Sequence, residues 1–192
     1  MSGPTVLAFD TSAAHCAAAL HLADGKVMTR VEQMSRGQGE RLMVMLEEVL
    51  SEAGITWADL DALAVGIGPG NFTGIRISVS AARGLALGLG VPAIGISGFA
   101  ALAQGHARPY TAALPAPRDQ RYVQTFGIDA TTAPTMEPGS APAPDADALI
   151  RGTLSVAFDR LTAGHPIAPP APLYVKPPDA APARDAPPKI LP

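Results

Sequence analysis

Two stretches carry residue types and spacings that could do chemistry. The first is Gly68-Pro69-Gly70-Asn71-Phe72-Thr73-Gly74, which follows a short apolar run and opens a long helical stretch. Gly68 and Gly70 can adopt backbone angles that a side chain forbids, and Pro69 fixes φ between them. Such a turn can present successive N–H groups. The helix start behind it adds free donors and the positive end of a dipole. Gly70, Asn71 and Thr73 are therefore candidates for meeting an anion. The alternative is a tight strand-to-helix turn that only reverses the chain, and this one lacks the lysine of a P-loop. The second stretch is Asp10-Thr11-Ser12, with His15 and Cys16 close behind. A serine and a histidine separated by so short a turn are weak support for a nucleophile and its base. Cys16 lies in an apolar run and reads as core rather than as a reactive thiol. The four histidines, His15, His21, His106 and His165, show no close metal-ligand spacing.

The elements that must position these groups follow from hydrophobic periodicity. Residues 5–10 predict a buried strand. Residues 16–22 and 26–33 predict two more, joined at Ala23-Asp24-Gly25, a hairpin signal. Residues 39–53 predict a helix with Leu42, Leu46, Val49, Leu50 and Ala53 on one face and Gly54 as its stop. Met43, Val44 and Met45 make its first turns apolar nearly all round. That suits either a deeply buried helix or a second, partner-facing surface. A short turn at 57–60, a strand at 61–67, the glycine turn with its helix, a strand at 92–96 and a short helix at 97–107 complete the first half. The order β-β-β-α-β-α-β predicts a mixed α/β sheet.

The helix after the glycine turn is unusual. Small residues recur at Gly74, Ser78, Ala82 and Ala86, and at Ala81, Gly84 and Gly88. A helical glycine costs up to about 1 kcal/mol relative to alanine, a cost most easily offset by close backbone packing. Its only charges, Arg76 and Arg83, share a face. They form either a solvated stripe or pairs with acidic groups or phosphate across an interface. Beyond residue 108 the pattern weakens. Two strands are expected at 110–114 and 122–128 around a turn at 115–121, then a loop at 138–146, a strand at 154–158 and a turn at 159–164. Residues 169–192 read as extended or disordered apart from PLYVKPPDA.

Composition bounds the function classes. The chain has 192 residues, 47% of them hydrophobic but only 5% aromatic, so its core must rest on Ala, Leu, Val and Ile. With 14 basic and 17 acidic residues, the net charge is −3. A large basic face for nucleic acid would require an even more acidic remainder. One cysteine excludes an intrachain disulfide and fits a reducing compartment. The N-terminal stretch has no basic start or long apolar run, which predicts no signal peptide. The apolar stretch at 75–96 carries Arg76 and Arg83 and reads as a soluble helix, not a span. A cytoplasmic location and no membrane contact are expected. Three of the 20 prolines precede residue 109. The expected division is therefore an ordered α/β subdomain at 1–108 that carries the partner-binding helices, and a reduced, proline-rich subdomain and tail at 109–192.

Taken together, LAFDTSAAHCAAAL, GERLMVMLEEVLSEAGI and LDALAVGIGPGNFTGIRISVSAARGLALGLGVPAIGIS resemble the TsaB (YeaZ) family, closely over the first half of the chain. PLYVKPPDA is similar to that family's C-terminal tyrosine–proline signature. Gln38 stands where the family often has His, Asn71 where it often has Ser, and Pro115-Ala116-Pro117-Arg118 where it usually has an Asp-Ala-Arg-Arg-like stretch. The resemblance implies an ASKHA fold (actin/Hsp70/sugar-kinase-like) of two RNase H-like α/β subdomains, the second reduced here. In that fold the turn after the first strand handles nucleotide phosphate. This implies Asp10, Thr11 and Ser12 as nucleotide-binding residues, together with Gly70, Asn71 and Thr73. The other reading of Asp10 is a turn aspartate that caps local N–H groups.

The resemblance further implies a non-catalytic subunit that binds and activates TsaD in N6-threonylcarbamoyladenosine (t6A37) modification of tRNA. TsaE is a second partner, and TsaC supplies threonylcarbamoyl-adenylate. On this reading tRNA is reached through the complex, and a homodimer is an option in isolation. There is no cofactor of its own, with ATP or ADP at the complex interface. The metal-binding His-x-x-x-His pair of the related TsaD falls here on Gly98 and Leu102, neither of which can bind a metal. Gly127, Gly139, Gly152 and Gly164 are isolated and form no second phosphate loop. The partner surface is expected on the two long helices, at Arg41, Met43, Met45, Arg76, Ser80 and Arg83, as a four-helix contact. The alternative is a small ASKHA ATPase or phosphotransferase that uses Asp10, Thr11 and the GPGNFTG turn.

Overall fold

The computed structural model describes residues 3–175. Five strands form the main sheet: β1 (Val6–Asp10), β2 (His15–His21), β3 (Val27–Gln33), β4 (Ala62–Gly66) and β5 (Ala93–Ile96). Their order is β3-β2-β1-β4-β5. The first three form an antiparallel meander, whereas β1, β4 and β5 run parallel. Two helices make the crossovers: α1 (Gln38–Ala53) runs between β3 and β4, and α2 (Phe72–Leu89) joins the parallel pair β4 and β5. This is the mixed sheet the sequence predicts, with the strand order of an RNase H-like unit. The architecture is mixed α/β.

The two faces of the sheet differ in side-chain size. Leu7, Phe9, Leu20, Leu63 and Val65 point towards α1 and α2 and pack against Leu42, Leu46, Val49, Ile75 and Val79. Ala8, Ala17, Ala19, Ala62 and Ala64 point the other way, towards Leu149, Ile150 and Leu154. Those three belong to α4 (Ala146–Thr162), which follows a short α3 (Gly98–Ala103) and a second, antiparallel sheet. That sheet is made of β6 (Tyr110–Ala116), β7 (Gln120–Phe126) and β8 (Thr135–Pro138). A helix from the proline-rich half thus closes the core of the first sheet. The alanine face lets it lie close. Burying each large aliphatic side chain of this core contributes about 1.5–3 kcal/mol.

Helix ends follow their sequence signals. Gly54 and Gly90 take the left-handed conformation after α1 and α2. Asn71 and Asp145 cap α2 and α4 by accepting from the N–H groups of Gly74 and Ala148.

Several second-half expectations are corrected. Residues 154–158 are not a strand but the middle of α4, whose buried positions Ala146, Leu149, Ile150, Thr153, Leu154 and Ala157 follow a helical repeat. The turn expected at 159–164 is largely the last turn of that helix. The loop expected at 138–146 is bounded by β8, which was not anticipated, and by the start of α4. The β6–β7 turn is tighter than expected: Pro115 pairs with Arg121 and Ala116 with Gln120, leaving a three-residue loop in which Arg118 and Asp119 have positive φ. The helix expected at 97–107 ends at Ala103. Of the expected tail at 169–192, residues 176–192 lie outside the described residues.

Two glycines of α2 differ sharply in their surroundings. A Cβ on Gly74 would lie 1.9 Å from the Thr11 carbonyl oxygen, whereas one on Gly84 would meet nothing within 4 Å. Gly74→Ala is expected to cost about 3 kcal/mol or more, because neighbouring backbone must move. Gly84→Ala is expected to stabilise by about 0.5–1 kcal/mol through helix propensity. Urea denaturation of both variants checks the pair, and equal effects would contradict the packing described here.

Candidate functional site

The two motif stretches come together at the carboxyl ends of β1 and β4, where ligands of open α/β sheets commonly sit. Their contact is backbone on backbone. The Asn71 N–H donates to the Ser12 carbonyl at 2.6 Å. The Thr11 hydroxyl donates to the Gly74 carbonyl at 2.7 Å. A Cβ on Gly70 would lie 2.2 Å from the Ser12 carbonyl oxygen. The glycines are needed because the turns touch, and the Asn71 N–H offered by the glycine turn is already used.

Asp10 is likewise committed. Its carboxylate accepts from the Ser12 N–H at 2.8 Å and the Ser12 hydroxyl at 2.9 Å. It also faces His15 Nε2 at 2.8 Å. All three residues are buried. Ser12 and His15 both bind Asp10 and not each other, so the geometry lacks a nucleophile–base pair.

Beside these turns lies a cleft of about 370 Å³, bounded on its far side by Leu114, Pro117, Tyr122 and Leu149. Of the six residues expected to bind nucleotide, Ser12, Gly70 and Asn71 line this cleft. Asp10 and Thr11 lie behind its wall, and Thr73 is exposed on α2. Among the described residues, no lysine or arginine lines the cleft. The Asn71 side-chain oxygen is occupied as a helix cap. These residues do not fit a nucleotide's phosphates, which need convergent N–H groups or cations. Among the described residues, no three His, Cys, Asp or Glu side chains are placed to hold a metal ion. Also among the described residues, no helix is long and apolar enough to cross a membrane.

The second feature is the outer surface of α1 and α2, which lie side by side on the large-residue face of the sheet. Along α2, Thr73, Arg76, Ser80, Arg83 and Leu87 form one exposed stripe at helical spacing. On α1, Met43 and Val44 are exposed, with Glu40 and Glu47 on either side. Met45, expected on the same surface, is instead fully buried in the core. Its neighbours Leu42, Leu46 and Val49 set the inward face of the helix, and Met45 falls within that arc. Sequence reasoning also missed Phe72 and Leu87, both exposed. Their spacing from Arg76 and Arg83 was the available signal. The small-residue stripe divides: Gly74, Ser78 and Ala82 face inwards, whereas Gly84 and Gly88 are exposed.

Side chains at both ends of this surface are held in place. The Arg76 guanidinium lies 4.0 Å over the Phe72 ring, and its Nε donates to the Tyr174 hydroxyl at 3.1 Å. Tyr174 in turn stacks on Phe72. Leu173, one residue earlier, donates its N–H to the Ile67 carbonyl at 2.8 Å, which ties this segment to the glycine turn. On α1, Arg41 forms a fork to Glu32 and a second to Glu48, with four contacts of 2.6–2.9 Å. Arg30 joins Glu48 and Glu52. Arg41 is therefore bound within its own chain.

Hydrogen bonds from Arg41 hold the Glu32 and Glu48 carboxyls below the usual glutamate value of 4.5. A carboxyl depressed in the folded state stabilises it above the unfolded value, and that contribution fades as pH falls through the folded value. Arg41→Met is expected to lower the melting temperature by about 1–3 °C at pH 7, since such exposed pairs contribute little. The difference should shrink as pH falls below 4.5 and disappear only below the lowered folded-state values, where the partners are protonated in both states. Thermal melts at pH 7 and pH 3 check this.

Burial pushes the Cys16 thiol up to about 11, with Glu32 adding to the effect. The thiolate that alkylating agents need is therefore scarce near neutrality. Iodoacetamide at pH 8 is expected to label Cys16 only after denaturant is added, as read by intact mass. Rapid labelling of the folded chain would overturn this.

Comparison with known proteins bears on both features. The family model described as "TsaD: tRNA N6-adenosine threonylcarbamoyltransferase" matches residues 31–133. The tRNA threonylcarbamoyladenosine biosynthesis protein TsaB of Escherichia coli (strain K12) is 42% identical over 100 residues, which is 52% of this chain and 43% of that protein. The chain thus spans less than half the length of that curated relative. Among solved structures, YeaZ from Pseudomonas aeruginosa superposes with a TM-score of 0.71 at 29% identity, covering 85% of this chain and 94% of that one. A second structure, titled as an uncharacterized protein with similarity to peptidase YeaZ from Pseudomonas aeruginosa, gives a TM-score of 0.75 at 26% identity. It covers 92% of this chain and all of that one.

Proposed function

The chain belongs to the TsaB (YeaZ) family, and from that premise we propose that it is a non-catalytic subunit of the t6A tRNA-modification machinery that binds and activates TsaD. The observation that carries this reading is the pair of exposed stripes on α1 and α2. They expose apolar Met43 and Val44 on α1, and Phe72 and Leu87 together with Arg76 and Arg83 on α2. An apolar centre with a charged rim is the usual anatomy of a protein interface. Two such helices can meet two helices of TsaD as a four-helix contact, or meet those of a second copy of this chain when TsaD is absent. Met43, Ser80 and the two arginines of α2 would touch the partner. Arg41 would support α1 from behind through its glutamates.

The alternative, a small ATPase or phosphotransferase, needs free phosphate ligands. The Asn71 N–H donates to the Ser12 carbonyl and the Asn71 side-chain oxygen accepts from the Gly74 N–H, while the Asp10 carboxylate is engaged by Ser12 and His15. No observation favours that reading. The acidic net charge of −3 suits a subunit that leaves most tRNA contact to others. TsaE and tRNA would join through the complex, and the site of work would be the cytoplasm.

The test is co-purification with TsaD from the same organism, followed by tRNA modification with and without this chain. The expected result is a stable complex and a loss of modification when the chain is omitted. Modification that proceeds equally well in its absence would overturn the proposal. Met43→Asp and Arg83→Glu are each expected to weaken TsaD binding about tenfold or more, because they place charge at the centre and reverse it at the rim. Their melting temperatures should stay within about 2 °C of the parent, since both positions are exposed.

A further inference from the structure

The cleft between the two sheets has a composition that the proposed subunit role does not use. Among the described residues, its wall holds no Asp, Glu, Lys or Arg side chain. Most of its lining is Ala, Pro and Leu, with Tyr122 as the single aromatic. Cavities of this size, lined mainly by apolar groups with a few placed polar atoms, suit small ligands.

One placed polar atom stands out. His15 lines the cleft and is only 5% exposed. Its Nε2 faces the Asp10 carboxylate, which already accepts from Ser12, so Nε2 carries the hydrogen. In the uncharged form of the ring, Nδ1 is then a bare acceptor. Nδ1 has no hydrogen-bond partner among the described residues. Among the described residues no enclosed side-chain nitrogen or oxygen is left unpaired, so Nδ1 keeps some exposure, and His15 lies in the cleft wall. The Ser12 hydroxyl beside it is spent on Asp10. The buried dyad thus holds one acceptor, at a fixed angle, in an otherwise greasy recess.

We propose that this cleft binds a small, uncharged, mainly apolar molecule through one hydrogen-bond donor that meets His15 Nδ1. A nucleotide is disfavoured by the missing cations. A purely apolar ligand would leave Nδ1 desolvated and unpaired. Asp10 acts as a positioning residue, because it holds the ring tautomer.

The experiment titrates the isotope-labelled full-length chain with indole and with 1-methylindole, followed by NMR. The two probes have similar apolar bodies, but only indole has an N–H donor. Indole is expected to shift the resonances of Leu114, Tyr122 and Leu149 and the His15 ring nitrogens, and to bind about fivefold more tightly than 1-methylindole. In His15→Phe that preference should vanish while 1-methylindole binding persists. Should His15→Phe fail to fold, Ala143→Trp gives the second arm. Ala143 is an exposed loop residue on the cleft rim. A tryptophan there is expected to weaken indole binding about tenfold without loss of fold. Equal affinity for the two probes would overturn the proposal. So would shifts confined to residues outside the cleft, undiminished binding by Ala143→Trp, or displacement of indole by ADP at lower concentrations.

Discussion

Two backbone turns touch with no side chains between them, and most of the molecule is arranged by that contact. The Thr11–Ser12 turn lies on the Gly70–Gly74 turn so closely that a single methyl group at Gly70 or Gly74 would collide with a carbonyl oxygen. Hydrogen bonds from Asn71 to Ser12 and from Thr11 to Gly74 fasten it. Because Gly74 lies in the first turn of α2, the contact fixes where that helix begins and which residues face outwards. It also uses the N–H of Asn71 that a phosphate would have needed. A motif whose composition suggests anion binding is here a bearing surface between two loops.

The sheet above this contact sorts side chains by size. Leucines and Phe9 carry α1 and α2, while a field of alanines receives α4. A low-aromatic chain can build a dense interior this way, since close approach substitutes for bulk. Among the described residues, the same sorting leaves Met43 and Val44 of α1 and Arg83 and Leu87 of α2 exposed, while Tyr174 stacks on Phe72 at the start of α2. Arg41 and Arg30, with their glutamates, brace the β3 side of α1. The supported helices and their exposed apolar residues form one continuous unit from core to surface.

Much of the first half was legible because its signals are local. Asp24-Gly25 marks the hairpin, Gly54 the end of α1, and Asn71 the start of α2. Each acts within a few residues of itself. Where the sequence misled, the deciding information lay elsewhere in the chain. Residues 154–158 alternate apolar and small side chains and mimic a strand, whereas the helical repeat that overrides them begins at Ala146. Met45 could not be placed because three consecutive apolar residues give no inward direction, and only packing against the sheet supplies one. Asp10, Ser12 and His15 were identifiable by type. Their mutual engagement was not, since it depends on β2 turning back beside β1.

The contact between Arg76 and Tyr174 joins residues 98 positions apart. During synthesis α2 leaves the ribosome long before Tyr174 does. Its outer stripe is therefore incomplete for most of translation: Phe72 is uncovered and Arg76 is unheld. The segment around Leu173 and Tyr174 then seals the glycine turn and sets the arginine together. The outer face at the start of α2 thus depends on a segment that is made about a hundred residues later.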